Sequence, residues 1–234
     1  MKREDVCVVT ITLARDAQEE RTLLSALEKL TALGLPLVIA DGGSSARFVK
    51  QVLDFSYYVV TPKAQGLAKQ LKAGIAVALR QFKEKRAILY TEPDKYPFFE
   101  GNLLEFVKAA KYSEKLGVVA AARDEMSFST FPRGQFKCES FMNEAFSWVA
   151  KPKGDYCYGP LLLSRDAAKI ALQAPDDLGW GWRFWTMKKV HEAGLRLSTI
   201  EMNLPCPIEQ RGEDSPKDRM YRLKQLKQNL KALL

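Results

Sequence analysis

Two carboxylates follow a short apolar segment near the middle of the chain. The run Ala87–Tyr90 has the length and composition of a buried strand, and Pro93 ends it because proline cannot donate to a sheet ladder. Glu92 and Asp94 flank this proline, and Lys95 comes next. An acidic pair in such a place can hold a hard divalent cation, which in turn holds a diphosphate. A solvated turn after the strand is the competing interpretation.

A second group of small and polar residues follows the apolar segment 36–40. Asp41 is succeeded by Gly42, Gly43, Ser44 and Ser45. Glycine has no Cβ, so the backbone of such a turn can approach a ligand closely. If 36–40 and 87–90 are parallel strands, their carboxyl ends share the sheet edge where ligands of open α/β proteins bind. An ordinary Gly-Gly turn is the alternative.

The segments that must position these residues alternate between two patterns. Runs of aliphatic and β-branched residues predict strands at 6–13, 36–40, 57–60, 87–90, 118–122, 161–163 and 195–202. Apolar residues at helical spacing predict helices at 17–33, 46–53, 67–82, 98–115, 138–149, 165–172 and 183–193. We interpret 123–137, which contains serine, proline, glycine and three phenylalanines, as a loop. The alternation predicts an α/β fold with a mostly parallel, Rossmann-like central sheet and helices on both faces.

Composition limits the chemistry that other residues can supply. The chain has 234 residues and is 47% hydrophobic, which suits one domain with a sizeable core, or one domain and a small appendage. His191 is the only histidine, which excludes sites that need two histidines. The four cysteines are widely spaced, so we expect free thiols in a reducing, cytoplasmic setting. The formal net charge of +8 favours an anionic partner.

The last segment, 213–234, predicts a basic amphipathic helix. Ser215 can cap it, and Pro216 suits its first turn. Five apolar residues then share one stripe: Met220, Leu223, Leu226, Leu230 and Leu233. We predict that the stripe packs on the domain or on a second subunit, because tryptophan and phenylalanine, common on membrane-facing stripes, are absent from the helix. Peripheral contact with an anionic membrane is the alternative.

The order of these pieces resembles that of GT-A glycosyltransferases, most closely family two of the nucleotide-diphospho-sugar transferase superfamily. The similarity rests on the opening strand and helix, the Asp41–Ser45 turn, Gly66 before a helix, the acidic turn after the fourth strand, and the Gly-Trp-Gly-Trp run that ends at Trp182. It covers roughly residues 6–204. The resemblance implies a single GT-A-like catalytic domain over 1–212, followed by the C-terminal helix 213–234.

The resemblance also implies an activity and a cofactor. It predicts a glycosyltransferase, of the hexosyltransferase class, that moves a sugar from a UDP- or GDP-sugar to the hydroxyl of a small-molecule, glycan or lipid acceptor. Mn²⁺ or Mg²⁺ held by Asp94 and Glu92 would stabilise the diphosphate leaving group. The chain departs from the family pattern in three ways: Glu92 replaces the first acid of Asp-x-Asp, Trp182 and Arg183 stand where an acidic base is usual, and a C-terminal metal-binding histidine is lacking.

Residues that match the family pattern receive their predicted roles from it. Contacts to the nucleotide sugar are predicted for Asp41, Gly42, Gly66, Lys69, Glu92 and Lys95. Acceptor contacts are predicted for Trp180, Trp182 and Asp155. The acids nearest the expected base are Asp177 and Asp176, which could deprotonate the acceptor if the reaction inverts. Structural alternatives exist, because tryptophans at this spacing are often in a core and Asp-Asp also suits a helix N-terminus.

Two other functions stay open at this point. A sugar nucleotidyltransferase shares the sheet topology, although its glycine-rich signature is missing from Leu13–Asp16, after the first strand. A catalytically inactive GT-A-like module that binds a nucleotide sugar is the second alternative. We expect no nucleic-acid partner, because the order of buried strands and the acidic turn do not fit one.

Overall fold

A single mixed sheet organises the computed structural model, which describes residues 1–62, 66–150 and 153–234. Within these ranges the strands are β1 (Val6–Thr12), β2 (Leu37–Asp41), β3 (Tyr58–Val60), β4 (Ala87–Tyr90), β5 (Leu116–Arg123), β6 (Leu161–Ser164) and β7 (Arg196–Met202). Their order across the sheet is β3-β2-β1-β4-β6-β5-β7. β6 runs antiparallel to β4 and β5, and the other described pairs are parallel. The mostly parallel sheet predicted from the sequence is confirmed.

Helices pack on both faces of this sheet. In chain order they are α1 (Ala17–Ala32), α2 (Ala46–Val52), α3 (Leu67–Gln81), α4 (Leu103–Ala109), α5 (Glu125–Ser129), α6 (Arg133–Val149), α7 (Arg165–Ala171), α8 (Trp182–Glu192) and α9 (Pro216–Lys231). α1, α2 and α4 supply the core of one face. α3, α6, α7 and α8 supply the core of the other. The fold is therefore a three-layer α/β arrangement.

Strand burial follows from this double covering. β1, β2, β4, β5 and β6 are buried along their whole length, whereas the edge strands β3 and β7 are partly exposed. A strand covered on both faces needs a continuous apolar run rather than an alternating one. The runs at 6–12 and 87–90 therefore identified inner strands correctly.

Local sequence signals set most helix starts. The Asp16 carboxylate accepts hydrogen bonds from the backbone N–H groups of Gln18 and Glu19, and so caps α1. Ser215 and Asp218 form a capping box at the start of α9, with Pro216 as the first helical residue. These caps satisfy N–H groups that have no partner within the helix.

Two predictions about local structure are wrong. The predicted helix 98–115 is interrupted at Gly101, whose φ of 115° breaks the helical path, and α4 ends at Ala109. The predicted loop 123–137 contains α5 and the first turn of α6. Pro132 stands just before α6, where the missing N–H of proline removes no helical hydrogen bond. Proline there marks a helix start rather than a loop.

The chain reverses its direction across the sheet beside β1. β2 and β3 lie on one side of β1, and β4 lies on the other. Such a switch point opens a crevice beyond the carboxyl ends of the strands. Thr12 is in register with Asp41, and Val9 with Tyr90. The Asp41 turn and the Glu92–Asp94 turn therefore leave the same edge of the sheet, as predicted.

α9 packs against α6 and a short 3₁₀ segment, Asp176–Gly181. Leu226, Leu230 and Leu233 contact the core, whereas Met220 and Leu223 are exposed. The C-terminal part of the predicted stripe thus packs on the domain. Among the residues that the structure describes, none of the helices combines the length and apolar character needed to cross a bilayer.

Candidate functional site

A cleft of about 600 Å³ lies beyond the carboxyl ends of β1, β2 and β4, and we call it the strand-end cleft. Its lining includes Thr12, Gly42, Gly66, Gln70, Glu92 and Asp94. Predicted site residues from three separate segments therefore meet in one cleft. This is the convergence that a switch point in a parallel sheet produces.

Gln70 joins α3 to the strand ends under this cleft. Its buried side-chain N–H₂ donates to the carbonyls of Thr12, at 2.6 Å, and Ala40, at 2.5 Å. A Cβ at Gly42 would lie 3.0 Å from the Gln70 amide oxygen, so glycine permits this close packing. Gly66, just before α3, has a φ of 128°, which glycine adopts readily and other residues rarely do.

Asp41 shapes the neighbouring turn. One carboxylate oxygen accepts hydrogen bonds from the backbone N–H groups of Gly43 and Ser44, at 2.9 and 2.8 Å. The other accepts from the hydroxyls of Ser44 and Thr12, at 2.6 and 3.0 Å. Asp41 is fully buried, and these four bonds occupy the acceptor sites of its carboxylate. The geometry therefore gives Asp41 a positioning role for the turn, and its predicted contact with a nucleotide stays a prediction.

Glu92 is a buried residue in the lining of the strand-end cleft. Its Oε1 lies 3.8 Å from Arg183 Nη1, and its Oε2 meets no hydrogen-bond geometry among the described residues. Burial raises the pKa of the Glu92 carboxyl, although Lys95 and Arg183 oppose this shift. The Tyr90 hydroxyl is also near enough to the carboxylate to lower its pKa. A Cβ at Gly159 would lie 2.4 Å from Oε2, so this glycine leaves the space that the carboxylate occupies.

Asp94 presents a more exposed carboxylate to the same place. Its side chain is 59% exposed, and its Oδ2 accepts a 2.6 Å hydrogen bond from Lys95 Nζ. Burial alone would lower the pKa of the Lys95 ammonium, but Asp94 and Glu92 outweigh that effect and raise it. Lys95 is thus held as a cation beside both carboxylates.

Glu92 and Asp94 are the carboxylates that could hold a divalent cation. No cluster of three or more histidine, cysteine, aspartate or glutamate side chains suited to a metal occurs among the described residues. Mg²⁺ commonly binds to one or two carboxylates and completes its shell with phosphate and water oxygens. The exposed Asp94 carboxylate and the unpartnered Oε2 of Glu92 fit that kind of site.

A second cavity, of about 240 Å³, adjoins the strand-end cleft, and we call it the arginine pocket. Lys95, Arg123, Arg183 and Arg222 line it, together with Glu139 and Tyr158. Four residues line both cavities: Glu92, Asp94, Trp180 and Tyr221. The acidic turn therefore stands at the junction of two cavities of different character.

Arg123 is built into the wall of the arginine pocket. Its side chain is fully buried, and it forms a bidentate pair with Asp155, with Nε and Nη2 at 2.6 and 3.0 Å from the carboxylate. Glu139 faces the same guanidinium at 2.7 Å. Burial alone would raise the pKa of Asp155, but Arg123 and hydrogen bonds from Asn143 and the Cys157 backbone lower it. Asp155, predicted as an acceptor contact, instead positions Arg123.

The two tryptophans predicted to contact an acceptor occupy different places. Trp180 is half-buried and lines both cavities. Trp182 is completely buried, and its ring packs edge-on against Tyr90 with centroids 5.0 Å apart. Trp180 therefore has access to a ligand, whereas Trp182 is a core residue in this structure.

The two glycines of the Gly-Trp-Gly-Trp run, Gly179 and Gly181, allow α9 to pack closely against this segment. A Cβ at Gly181 would lie 2.2 Å from the Gln228 carbonyl oxygen, and one at Gly179 would lie 2.6 Å from the Gln228 side chain. The side-chain oxygen of Gln228 in turn accepts a hydrogen bond from the backbone N–H of Trp180 at 3.1 Å. The run thus lets α9 approach closely and hold Trp180 at the cavity junction.

Asp176 and Asp177, predicted as bases, are exposed and paired with lysines. Asp176 accepts a hydrogen bond from Lys72 and Asp177 from Lys231, both at 2.5 Å. These hydrogen bonds lower the pKa of each carboxyl. Neither aspartate lines the strand-end cleft or the arginine pocket. Lys69, predicted to contact the nucleotide sugar, lies on α3 close enough to Asp176 to lower its pKa further.

Sequence reasoning did not identify Arg123 and Arg222 as site residues. They come from β5 and α9, and only the tertiary fold brings them together with Arg183 of α8. One signal was available for Arg123, because it ends a buried strand and a charge in such a place needs a partner. Arg222 belongs to a helix with many basic residues, and the sequence does not distinguish it from those that lie outside the pocket.

No protein-family model and no curated protein matches the sequence. The structure is similar to solved structures of glucosyl-3-phosphoglycerate synthase from Mycobacterium tuberculosis. Its complex with Mn²⁺, UDP-glucose and phosphoglyceric acid has a TM-score of 0.62 and 14% sequence identity, over 97% of this chain and 79% of that one. Its complex with Mg²⁺ and UDP has a TM-score of 0.57 and 15% identity, with the same coverage. The similarity establishes the fold, and this chain has a GT-A-like fold.

Proposed function

We propose that this chain is a glycosyltransferase that moves a sugar from a nucleotide-diphosphate donor to an acceptor hydroxyl. The observation that carries the proposal is the position of Glu92 and Asp94, which line both the strand-end cleft and the arginine pocket. A donor in the first cavity and an acceptor in the second would meet at these carboxylates. The UDP-glucose and the metal ions bound by the similar Mycobacterium tuberculosis synthase support the same assignment and favour a UDP-sugar as donor.

The strand-end cleft suits the nucleotide half of the donor. Gly42 and Gly66 offer backbone without a Cβ along its lining, so a nucleoside can lie close to the chain. The four hydrogen bonds of Asp41 hold the Gly42–Ser44 turn in place. The diphosphate would then extend toward Asp94 at the junction.

The junction suits the departing diphosphate. Negative charge grows on the phosphate oxygens as the bond to the sugar breaks, so positive charge placed there beforehand lowers the barrier. Mn²⁺ or Mg²⁺ held by Asp94 and Glu92 would supply part of that charge. Lys95, kept protonated by the two carboxylates, adds a second cation at the same point.

The acceptor base predicted at Asp176 or Asp177 needs a direct test. Removal of a general base lowers kcat by roughly 10²- to 10⁴-fold. Both residues lie outside the two cavities, so we expect neither to act as the base. Asp176→Asn and Asp177→Asn should then change kcat by less than about threefold, because each substitution removes only an exposed ion pair.

A nucleotide-sugar-binding module without transfer is the second candidate. The positions of Asp176 and Asp177 favour it, because neither predicted base lines the strand-end cleft or the arginine pocket. Release of free nucleoside diphosphate from the donor distinguishes the two functions: a glycosyltransferase produces it during transfer or slow hydrolysis, and a binding module does not.

A thermal-shift screen tests the proposal itself. The ligands are UDP, GDP, CDP and their sugars, each with Mn²⁺ and with a chelator. A ligand that binds only the native state raises the Tm in line with its occupancy. We expect UDP and a UDP-sugar to raise the Tm, and Mn²⁺ to increase the shift. If no nucleotide raises the Tm at millimolar concentration, the proposed function is wrong.

A further inference from the structure

The arginine pocket contains two guanidinium groups that have no close carboxylate partner among the described residues. Arg183 lies 3.8 Å from one oxygen of Glu92, which is a long distance for an ion pair, and its Nη1 donates to the Cys157 carbonyl at 3.4 Å. Arg222 donates from Nη1 to the neutral Gln225 side chain at 3.2 Å. It forms no ion pair with a carboxylate among the described residues, although Asp218 on the same helix is near enough for Arg222 to lower its pKa. Arg123 differs in its charge balance, because it pairs with both Asp155 and Glu139, although its buried Nη1 also lacks a hydrogen-bond partner among the described residues.

Each of these two guanidinium groups also has an N–H group that donates no hydrogen bond. The Nε atoms of Arg183 and Arg222 are buried and have no hydrogen-bond partner in the described parts of the chain. The Arg183 side chain is only 9% exposed. A buried donor that is left unpaired costs about 1–3 kcal/mol, and more when it is charged. A ligand that brings hydrogen-bond acceptors into this cavity would pair these donors, and its binding would be favoured for that reason.

The two residues line the same space from different helices. Arg183 lies at the start of α8 and Arg222 on α9, and both line the arginine pocket and a smaller adjoining cavity. A planar guanidinium fork matches the geometry of a carboxylate or a phosphate, with two parallel N–H donors. The remaining carboxylates of the pocket have partners of their own: Asp94 pairs with Lys95, and Glu139 with Arg123.

We propose that the arginine pocket binds the anionic group, phosphate or carboxylate, of a small acceptor, and that Arg183 and Arg222 are its ligands. The inference rests on the proposed function and deepens it by naming the class of acceptor. It also gives α9 a role, because this helix supplies one wall of the acceptor site. A neutral glycan or an uncharged lipid alcohol would leave the two arginines without partners.

The test is calorimetric titration of the full chain with UDP and Mn²⁺ at saturation, so that the donor site is occupied. Glycerol 3-phosphate, glycerate and glycerol are the probes, and they separate phosphate, carboxylate and neutral acceptors of the same size. We expect one or both anions to bind, and glycerol not to bind up to about 10 mM. Absence of binding by both anions, or equal binding of glycerol, would overturn the proposal.

Substitution of the half-buried Arg222 locates the site with little risk to the fold. Arg222→Gln should weaken binding of the anion about tenfold or more, the effect of a lost charge-assisted pair of hydrogen bonds. Lys227→Ala is the matched control, because Lys227 is an exposed cation on the same helix outside the pocket. Arg183→Gln should reproduce the loss if the variant folds, as judged by its Tm.

The donor titration keeps this inference separate from the proposed function. UDP with Mn²⁺ should bind Arg222→Gln as it binds the wild type. If Arg222→Gln instead loses affinity for UDP and keeps affinity for the anion, the arginine serves the donor diphosphate and the inference is wrong. If UDP does not bind to the wild type at all, the proposed function is wrong. Titration of Arg222→Gln, Arg183→Gln and Lys227→Ala with glycerol 3-phosphate alone still decides whether the anion site exists.

Discussion

The indole N–H of Trp180 donates a 3.2 Å hydrogen bond to the hydroxyl of Tyr221. This bond joins the 3₁₀ segment Asp176–Gly181 to α9 at the place where the strand-end cleft meets the arginine pocket. Trp180 therefore lines the same two cavities as Glu92 and Asp94. An aromatic face in that position can stack on the transferred sugar or on the acceptor.

Trp180→Ala should therefore impair ligand binding more than stability. We expect KM for the sugar donor or for the acceptor to rise about tenfold, because one stacking contact is lost. Steady-state kinetics with each substrate varied in turn provides the measurement. A variant with unchanged KM for both substrates would remove Trp180 from the site.

Trp182→Ala is the counterpart, because Trp182 lies in the core two residues away. Removal of a large buried aromatic side chain costs about 3–5 kcal/mol, from lost burial and from the cavity that remains. We expect the urea midpoint of this variant to fall accordingly, while that of Trp180→Ala changes little. Similar urea midpoints for the two variants would contradict the different positions of these rings.

Asp41→Ala tests the turn beside the nucleotide. The substitution removes an acceptor of four hydrogen bonds, so the Gly42–Ser44 turn loses its anchor. We expect UDP to bind about tenfold more weakly, even without metal. Calorimetric titration with UDP in a chelator is the measurement, and equal affinity in the wild type and the variant would show that the turn does not serve the nucleotide.

Ser44→Ala is the matched variant for that experiment. Ser44 donates to Asp41 through its hydroxyl, but its loss leaves the carboxylate in place. If Asp41 acts by holding the turn, Ser44→Ala should lose part of the same affinity. If Asp41 touches the nucleotide directly, Ser44→Ala should keep full affinity.

The sheet was largely predictable because inner strands leave a strong local signal. Buried runs such as 6–12 and 118–122 must be apolar along their whole length, and that pattern is visible without neighbours. The antiparallel direction of β6 was not predictable, since a run of leucines at 161–163 carries no information on direction. The predicted helix boundaries were wrong at Gly101 and Pro132. Glycine and proline occur both in turns and at the ends of helices, so their presence alone does not decide between the two.

The candidate site was predictable only where its residues follow strands directly. Glu92 and Asp94 leave the end of β4, so topology alone places them at the ligand-binding edge. Arg222 reaches the same place through the packing of α9, which depends on the two glycines that face Gln228. The family resemblance predicted acceptor contacts for both tryptophans, with a core position as the alternative, and the packing against Tyr90 places Trp182 in the core.

Asp155→Asn should destabilise the folded chain. Asp155 neutralises the fully buried Arg123, and removal of one partner of a buried ion pair costs about 3–5 kcal/mol. We expect about 3 kcal/mol, because Glu139 still faces the guanidinium. Urea unfolding at pH 7 measures the difference, and a variant as stable as the wild type would contradict a structural role for this pair.

The same pair predicts a pH dependence. The pKa of Asp155 is lower in the folded chain than in the unfolded chain, where it is about 3.9. The stabilisation from its charge is therefore complete above about pH 5 and is lost progressively as the pH falls through the unfolded and then the folded pKa. The difference in unfolding free energy between wild type and Asp155→Asn should narrow as the pH falls below about pH 5. A difference that stays constant from pH 7 to pH 3 would contradict the lowered pKa.

The central claim is that Asp94, with Glu92, holds a divalent cation against the diphosphate of a nucleotide sugar. The most direct test is calorimetric titration of UDP-glucose into wild type, Asp94→Asn and Asp166→Asn, each with Mn²⁺ and with a chelator. Asp166 is an exposed, lysine-paired aspartate on α7 and serves as the control. We predict that Mn²⁺ tightens binding at least about tenfold in the wild type and the control, and that Asp94→Asn loses this gain while its Tm is retained. The same Mn²⁺-dependent gain in Asp94→Asn as in the wild type would contradict the account.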